Sequence, residues 1–219
     1  MFNRYFRLIA YLIISIGFSS AMAGAYEDFF QAVNRDDART VETLLQRGFD
    51  PNSRDERGQT PLYLSQREGA FKVAKLLLSH PQIRVDLPNA AGETALMMAA
   101  LRGHTDEAGR LLDKGARIEA LNEGEQPGWT PLHYAASAPN DAVAALLLAR
   151  GAKVDARSPN RSTPLMMAAQ YGNEATVDRL LKQGADVRAL NDLQLTAADF
   201  ANRAGRESLT ARLQALAAR

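Results

Sequence analysis

Thr130-Pro131-Leu132-His133-Tyr134-Ala135-Ala136 returns four more times along the chain in weakened form. The other versions are Thr60-Pro61-Leu62-Tyr63-Leu64-Ser65, Thr94-Ala95-Leu96-Met97-Met98-Ala99-Ala100, Thr163-Pro164-Leu165-Met166-Met167-Ala168-Ala169 and Thr196-Ala197-Ala198-Asp199-Phe200-Ala201. Their threonines lie 34, 36, 33 and 33 residues apart. Threonine caps a helix because its hydroxyl can accept a backbone N–H of the first turn, and a following proline has its φ already set for a helix. Each motif therefore starts a helix. Nine residues after the threonine come Gly69, Gly103, Gly172 and Gly205, each expected to close that helix in the left-handed conformation.

A second helical stretch follows each short first one, as in Val41 to Gly48, Phe71 to Ser79, Leu111 to Ala116, Thr176 to Gln183 and Leu209 to Leu216. Two places break the rule. Pro81 stands where a glycine would end the second helix, and Pro139 occupies the place of the glycine between helices. Proline cannot reach positive φ, so both turns are expected to close differently.

A fixed period of this size marks a solenoid, and TPLHxA at about 33 residues resembles the ankyrin repeat. The resemblance implies an all-α fold: a solenoid of about six helix-turn-helix repeats with short β-hairpin-like fingers. The repeats are placed at about 26–52 (an N-terminal cap), 53–87, 88–121, 122–157, 158–190 and 191–219 (a C-terminal cap), inside a repeat domain spanning 24–219. The caps are atypical because their outer faces meet water. Arg206, Glu207, Arg212 and Gln214 fit a solvated last repeat.

Residues 1–23 have another character. Arg4 and Arg7 precede an apolar run from Leu8 to Phe18, and small residues end in an Ala-x-Ala site at Ala23. This is the pattern of a cleaved secretory signal peptide, and the apolar run is shorter than the roughly 20 residues a spanning helix needs. A periplasmic protein is expected, with secretion as the alternative and no stable membrane anchor after cleavage. Without Arg4 and Arg7 the chain holds 24 basic and 25 acidic residues, a balance that gives no reason to expect a nucleic-acid partner. No disulfide can form, because the chain has no cysteine.

Chemistry is sparse. Three histidines, no cysteine and no GxxxxGK[ST], GxSxG or HExxH motif leave no recognisable catalytic constellation. No cofactor or metal is expected. His133 is read as bonding within its own TPLH turn, His104 as the usual histidine of the interhelical turn, and the Met97-Met98 and Met166-Met167 pairs as core. The resemblance points instead to a non-enzymatic module, expected as a monomer, that binds a protein partner through its concave face and finger loops. The positions it marks are Trp129, Tyr171, Arg57, Gln59, Arg67, Arg102, Glu123, Glu125, Gln126, Arg161 and Gln170, with Glu93 and Leu101 beside them. Trp129 and Tyr171 are the expected anchors, since aromatic and arginine side chains dominate interface energetics. The fourth finger is about three residues longer than the period requires, with Glu123 and Glu125 near its tip. A toxin-neutralising immunity protein is the specific alternative, and an enzyme with an unrecognised carboxylate site the alternative of another class.

Overall fold

The computed structural model describes residues 24–119 and 128–219. The expected leader and most of the long fourth finger, with Glu123, Glu125 and Gln126, lie outside the described residues. Helix α1 covers 24–34 and α2 Ala38–Gln46. Five pairs follow: α3 Pro61–Glu68 with α4 Phe71–Ser79, α5 Ala95–Arg102 with α6 Thr105–Asp113, α7 Pro131–Ala136 with α8 Ala142–Ala149, α9 Pro164–Gln170 with α10 Glu174–Lys182, and α11 Ala197–Arg203 with α12 Glu207–Ala217. The first helices α3, α5, α7, α9 and α11 pack on one another in sequence to form an inner row, with the second helices behind them.

The periodic leucines explain that stacking. Leu62, Leu96, Leu132 and Leu165 from the inner row meet Leu77, Leu111, Leu147 and Leu180 from the outer row, and all eight are buried. Each such side chain contributes roughly 2 kcal/mol by leaving water. A single repeat has no partner for this apolar face, so neighbours supply it. Along the back, ion pairs step from one repeat to the next: Lys72 to Asp36, Arg150 to Asp113, Arg179 to Asp141 and Arg212 to Asp178. All are partly exposed, and exposed pairs of this kind are worth at most about 1 kcal/mol each.

The inner helices begin in nearly the same way each time. The hydroxyls of Thr60, Thr94, Thr163 and Thr196 accept the N–H three residues on, at 3.3–3.4 Å. Thr130 differs, because its hydroxyl lies 2.9 Å from His133 Nδ1 instead. In the other direction, the N–H of Thr94 and of Thr163 donates to the sulfur of Met97 and Met166, and that of Thr196 to Asp199 Oδ2. The methionine therefore does the histidine's job at the helix start. Met97, Met98 and Met166 are core residues, whereas Met167 is only half-buried.

Helix ends are less uniform than the sequence suggests. Gly69 and Gly103 close α3 and α5 with φ of 71° and 73°, and Gly205 follows α11 at 71°. Gly172 does not take positive φ, which corrects the expectation for α9. A Cβ there would lie 2.3 Å from the Ala136 carbonyl oxygen and 2.9 Å from the Ala168 Cα. Glycine is needed at 172 for close approach to α7, not for a left-handed turn. The carbonyls at the end of α9 find another donor: Arg206 Nη1 reaches the Ala168, Ala169 and Gly172 oxygens at 2.9, 3.1 and 2.9 Å. Arg206 is thus half-buried and bonded to the preceding repeat, where a solvated side chain was expected. α7 stops after six residues at Ser137, two before Pro139, and α4 gives way to extended backbone at His80 before Pro81.

The fingers are tight turns, and no strand forms among the described residues. In four of them the N–H of Asp55, Asn89, Ser158 or Asn191 donates to the carbonyl four residues on, at 2.8–3.1 Å. The side-chain oxygens of Asp55, Asn89 and Asn191 each accept two further N–H groups inside the turn. Neighbouring fingers are tied by Ala90 N–H to the Gly58 carbonyl and by Asp192 N–H to the Asn160 carbonyl, both 3.1 Å.

Candidate protein-binding face

The inner helices and fingers lie on one side, and an open, largely apolar groove sits there at repeats three to five. Trp129 enters α7 one residue ahead of its cap and packs edge-on against His133, with ring centroids 5.3 Å apart, and against Tyr134 at 6.3 Å. Its ring is held by its own repeat, yet the residue remains 37% exposed. Tyr171, at the end of α9, is 61% exposed. Between them lies a groove of about 290 Å³ also lined by Leu101, Tyr134, Ser137 and Met167. The two expected anchors therefore share one site, although 42 residues separate them.

His133 forms the buried wall of this groove. Its Nδ1 accepts the Thr130 N–H at 3.2 Å, so the proton sits on Nε2 and is donated to the Ser162 carbonyl at 3.0 Å. The bond within the TPLH turn was expected; the one to the next finger was not. Burial pushes the imidazole pKa down from 6.5 to about 4 against the opposing effect of the Ser162 carbonyl. His133 is neutral near neutrality and works as a brace between repeats four and five.

Tyr134 is the residue that motif reading overlooked, because it fell inside the scaffold pattern. Its hydroxyl donates to Glu93 Oε1 at 3.1 Å, while Tyr63 and the Asn89 amide donate to Glu93 Oε2 at 2.8 and 2.9 Å. One carboxylate thus joins repeats two, three and four along the inner side. Burial first, and the Glu93 charge after it, raise both phenol pKa values above the usual range. Both tyrosines stay protonated donors. The available clue was a second aromatic beside His133, in the repeat that also carries Trp129.

The remaining expected contacts are dispersed. Arg57 is exposed on the first finger, beside a depression of about 560 Å³ lined by Tyr26, Phe30, Asp55 and Glu56. Arg67 bonds the Gln59 side chain and Glu68, and Arg102 places Nε and Nη2 on the Arg67 carbonyl at 3.2 and 2.7 Å. These three expected contact residues are therefore braced against the scaffold. Arg161 is exposed on its finger with φ of 59°, a left-handed conformation at a non-glycine residue, and Gln194 adopts the same at 57°. Gln170 is half-buried at the end of α9. Among the described residues, no three histidine, aspartate or glutamate side chains gather as a metal site, and no helix is long and apolar enough to cross a membrane.

Comparison with known proteins agrees with this architecture. The family model for ankyrin repeats in three copies matches residues 29–122, 84–158, 111–191 and 140–211. The chain belongs to the ankyrin-repeat family, a fold of protein–protein interaction modules. It is 33% identical over 105 residues to human transient receptor potential cation channel subfamily A member 1, covering 48% of this chain and 9% of the channel protein. It is 29% identical over 114 residues to ankyrin repeat protein nuc-2 of Neurospora crassa, covering 52% and 10%. The chain spans about a tenth of the length of these curated relatives. Among solved structures, a chain in the complex of the predatory endopeptidase Bd0816 with immunity protein Bd3460 from Bdellovibrio bacteriovorus is similar, with 31% identity and a TM-score of 0.72. That match covers 85% of this chain and 96% of the other.

Proposed function

We propose that this protein is an exported, non-enzymatic module that holds a protein partner on the side formed by its inner helices and fingers. The observation that carries the proposal is the open groove between Trp129 and Tyr171, where large aromatic side chains stay solvent-accessible on a scaffold whose other apolar residues are mostly stacked away. Exposed aromatics at the centre of a rigid face are the usual anchors of an interface. Export rests on the leader pattern at residues 1–23. Affinity capture from a periplasmic fraction tests the reading: a specific partner is expected, with Trp129→Ala plus Tyr171→Ala weakening it at least about tenfold. Unchanged affinity in the double variant removes the groove from the interface. N-terminal sequencing of fractionated protein tests export, and a cytosolic chain retaining Met1 overturns it.

A second, narrower reading is favoured by the nearly full-length similarity to a chain of the endopeptidase–immunity protein complex. In this reading the captured partner is a hydrolytic enzyme and the module shields the producing cell from it. The partner is then expected to cleave its substrate when alone and to stop when this protein is added in equimolar amount. A partner that has no hydrolytic activity, or keeps it in the complex, removes this reading and leaves the broader one standing.

A further inference from the structure

Beyond the expected leader the chain carries the methionines Met97, Met98, Met166 and Met167, and with no cysteine they are the only sulfur there. Three of them are shut away. Met97 and Met166 are buried, and their sulfurs accept the N–H of Thr94 and Thr163 at 3.4 and 3.3 Å. Met98 is buried too, at the place in its repeat that Met167 takes in repeat five. Met167 alone of these is partly exposed, and its side chain lines the groove between Trp129 and Tyr171. The neighbouring inner helix, α7, stops at Ser137, which lies on the same groove.

A thioether is oxidised where an oxidant can reach it, and the sulfoxide turns a flexible apolar side chain into a polar one. We propose that Met167 is a reversible oxidation site, open to peroxide-class oxidants, that switches the groove from apolar to polar. The sulfur lone pair attacks one peroxide oxygen, the O–O bond breaks and an S=O bond forms; the second oxygen takes up the proton of the first and leaves as water. Sulfur gives up two electrons and the peroxide gains them. A thiol-dependent methionine sulfoxide reductase returns those electrons, releasing water and forming a disulfide on the reductase side. The groove wall offers the new oxygen few donors: the Tyr134 hydroxyl is bonded to Glu93, that of Ser137 to the His133 carbonyl at 3.3 Å, and His133 Nε2 to the Ser162 carbonyl. The sulfoxide therefore draws water in between the aromatic rings. A partner side chain seated there loses apolar contact, a consequence that rests on the reading of this protein as a binding module.

Trp129 is the sole tryptophan, so its emission reports on the groove. The test treats the purified protein with hydrogen peroxide and follows each methionine by peptide mass mapping. Met167 is expected to gain one oxygen at least about tenfold faster than Met97, Met98 or Met166. Trp129 emission should shift to the red in step with it, and return after treatment with a pair of methionine sulfoxide reductases, one for each epimer. Met167→Leu keeps the side-chain volume and should abolish the shift. Circular dichroism checks that the variant and the oxidised protein stay folded. Comparable rates at the four methionines overturn the selectivity. A shift that persists in Met167→Leu, or oxygen gained at Trp129 in place of Met167, overturns the assignment, and a Met167 sulfoxide that leaves the emission unchanged overturns the switch. Capture from a periplasmic fraction reads the consequence for binding apart from the site: no partner on any form counts against the binding module alone, and a partner held equally by the oxidised protein removes the effect on binding.

Discussion

Repeats two and three end their inner helices by one device, and repeats four and five by two others. α3 and α5 close on left-handed glycines, Gly69 and Gly103. α7 is cut short ahead of Pro139, and α9 ends on Tyr171 with Gly172 pressed against α7 and Arg206 covering its carbonyls. The groove opens where the regular ending is abandoned. Ser137 and Tyr171, the end residues of α7 and α9, line it directly. In a repeat protein the scaffold follows the shared pattern, and a site is made by departures from it.

Four measurements press on this contrast. Gly172→Ala should destabilise by about 3 kcal/mol, because its Cβ would meet backbone atoms of two helices that cannot swing aside. Gly69→Ala, whose Cβ would make only an ordinary 3.9 Å contact with Phe71 and has just positive φ against it, should cost about 1 kcal/mol by denaturant titration. Equal losses would erase the distinction between the two endings.

Acid should weaken repeats four and five selectively. The unfolded chain takes up a proton on His133 below about 6.5, while the folded chain refuses it until about 4. This contribution is therefore complete above pH 6.5 and falls as pH drops toward 4, by roughly 3 kcal/mol. His133→Met should flatten that part of the stability–pH curve, since Met97 and Met166 make the same backbone contact with no titratable group. An unaltered curve in the variant would place the acid sensitivity elsewhere.

Arg206→Ala removes a donor from three carbonyls at the end of α9, of which only that of Ala168 keeps another, the Gly172 N–H, and should lower stability by about 2 kcal/mol. Amide exchange should quicken first in residues of α9 and the following turn. A variant as stable as the parent would show that water serves those carbonyls equally well. Smallest is Arg161→Gly, which relieves a left-handed non-glycine residue and should stabilise by roughly 0.5–1 kcal/mol. A loss of partner affinity in this more stable variant would identify the Arg161 side chain as a contact.

The helices were readable because capping and burial are local and periodic. Thr60, Thr94, Thr163 and Thr196 do in the structure what their place before each motif implies. Gly172 misled for the same reason: its spacing repeats that of Gly69 and Gly103, but its role is set by the Ala136 carbonyl of another repeat. Trp129 and Tyr171 could be singled out as aromatics in interface positions, whereas their shared groove and the Tyr63–Glu93–Tyr134 bridge join residues 30 to 42 positions apart.

The sequence by itself determined the repeat and its helices, because hydrogen-bond caps and apolar periodicity act within a few residues. Only the tertiary structure decided how helices α7 and α9 end, which carboxylate stands behind Tyr134 and that Trp129 faces the same groove as Tyr171. Those outcomes depend on contacts between successive repeats, where the stacking of helices brings together side chains that the linear pattern keeps a full period apart.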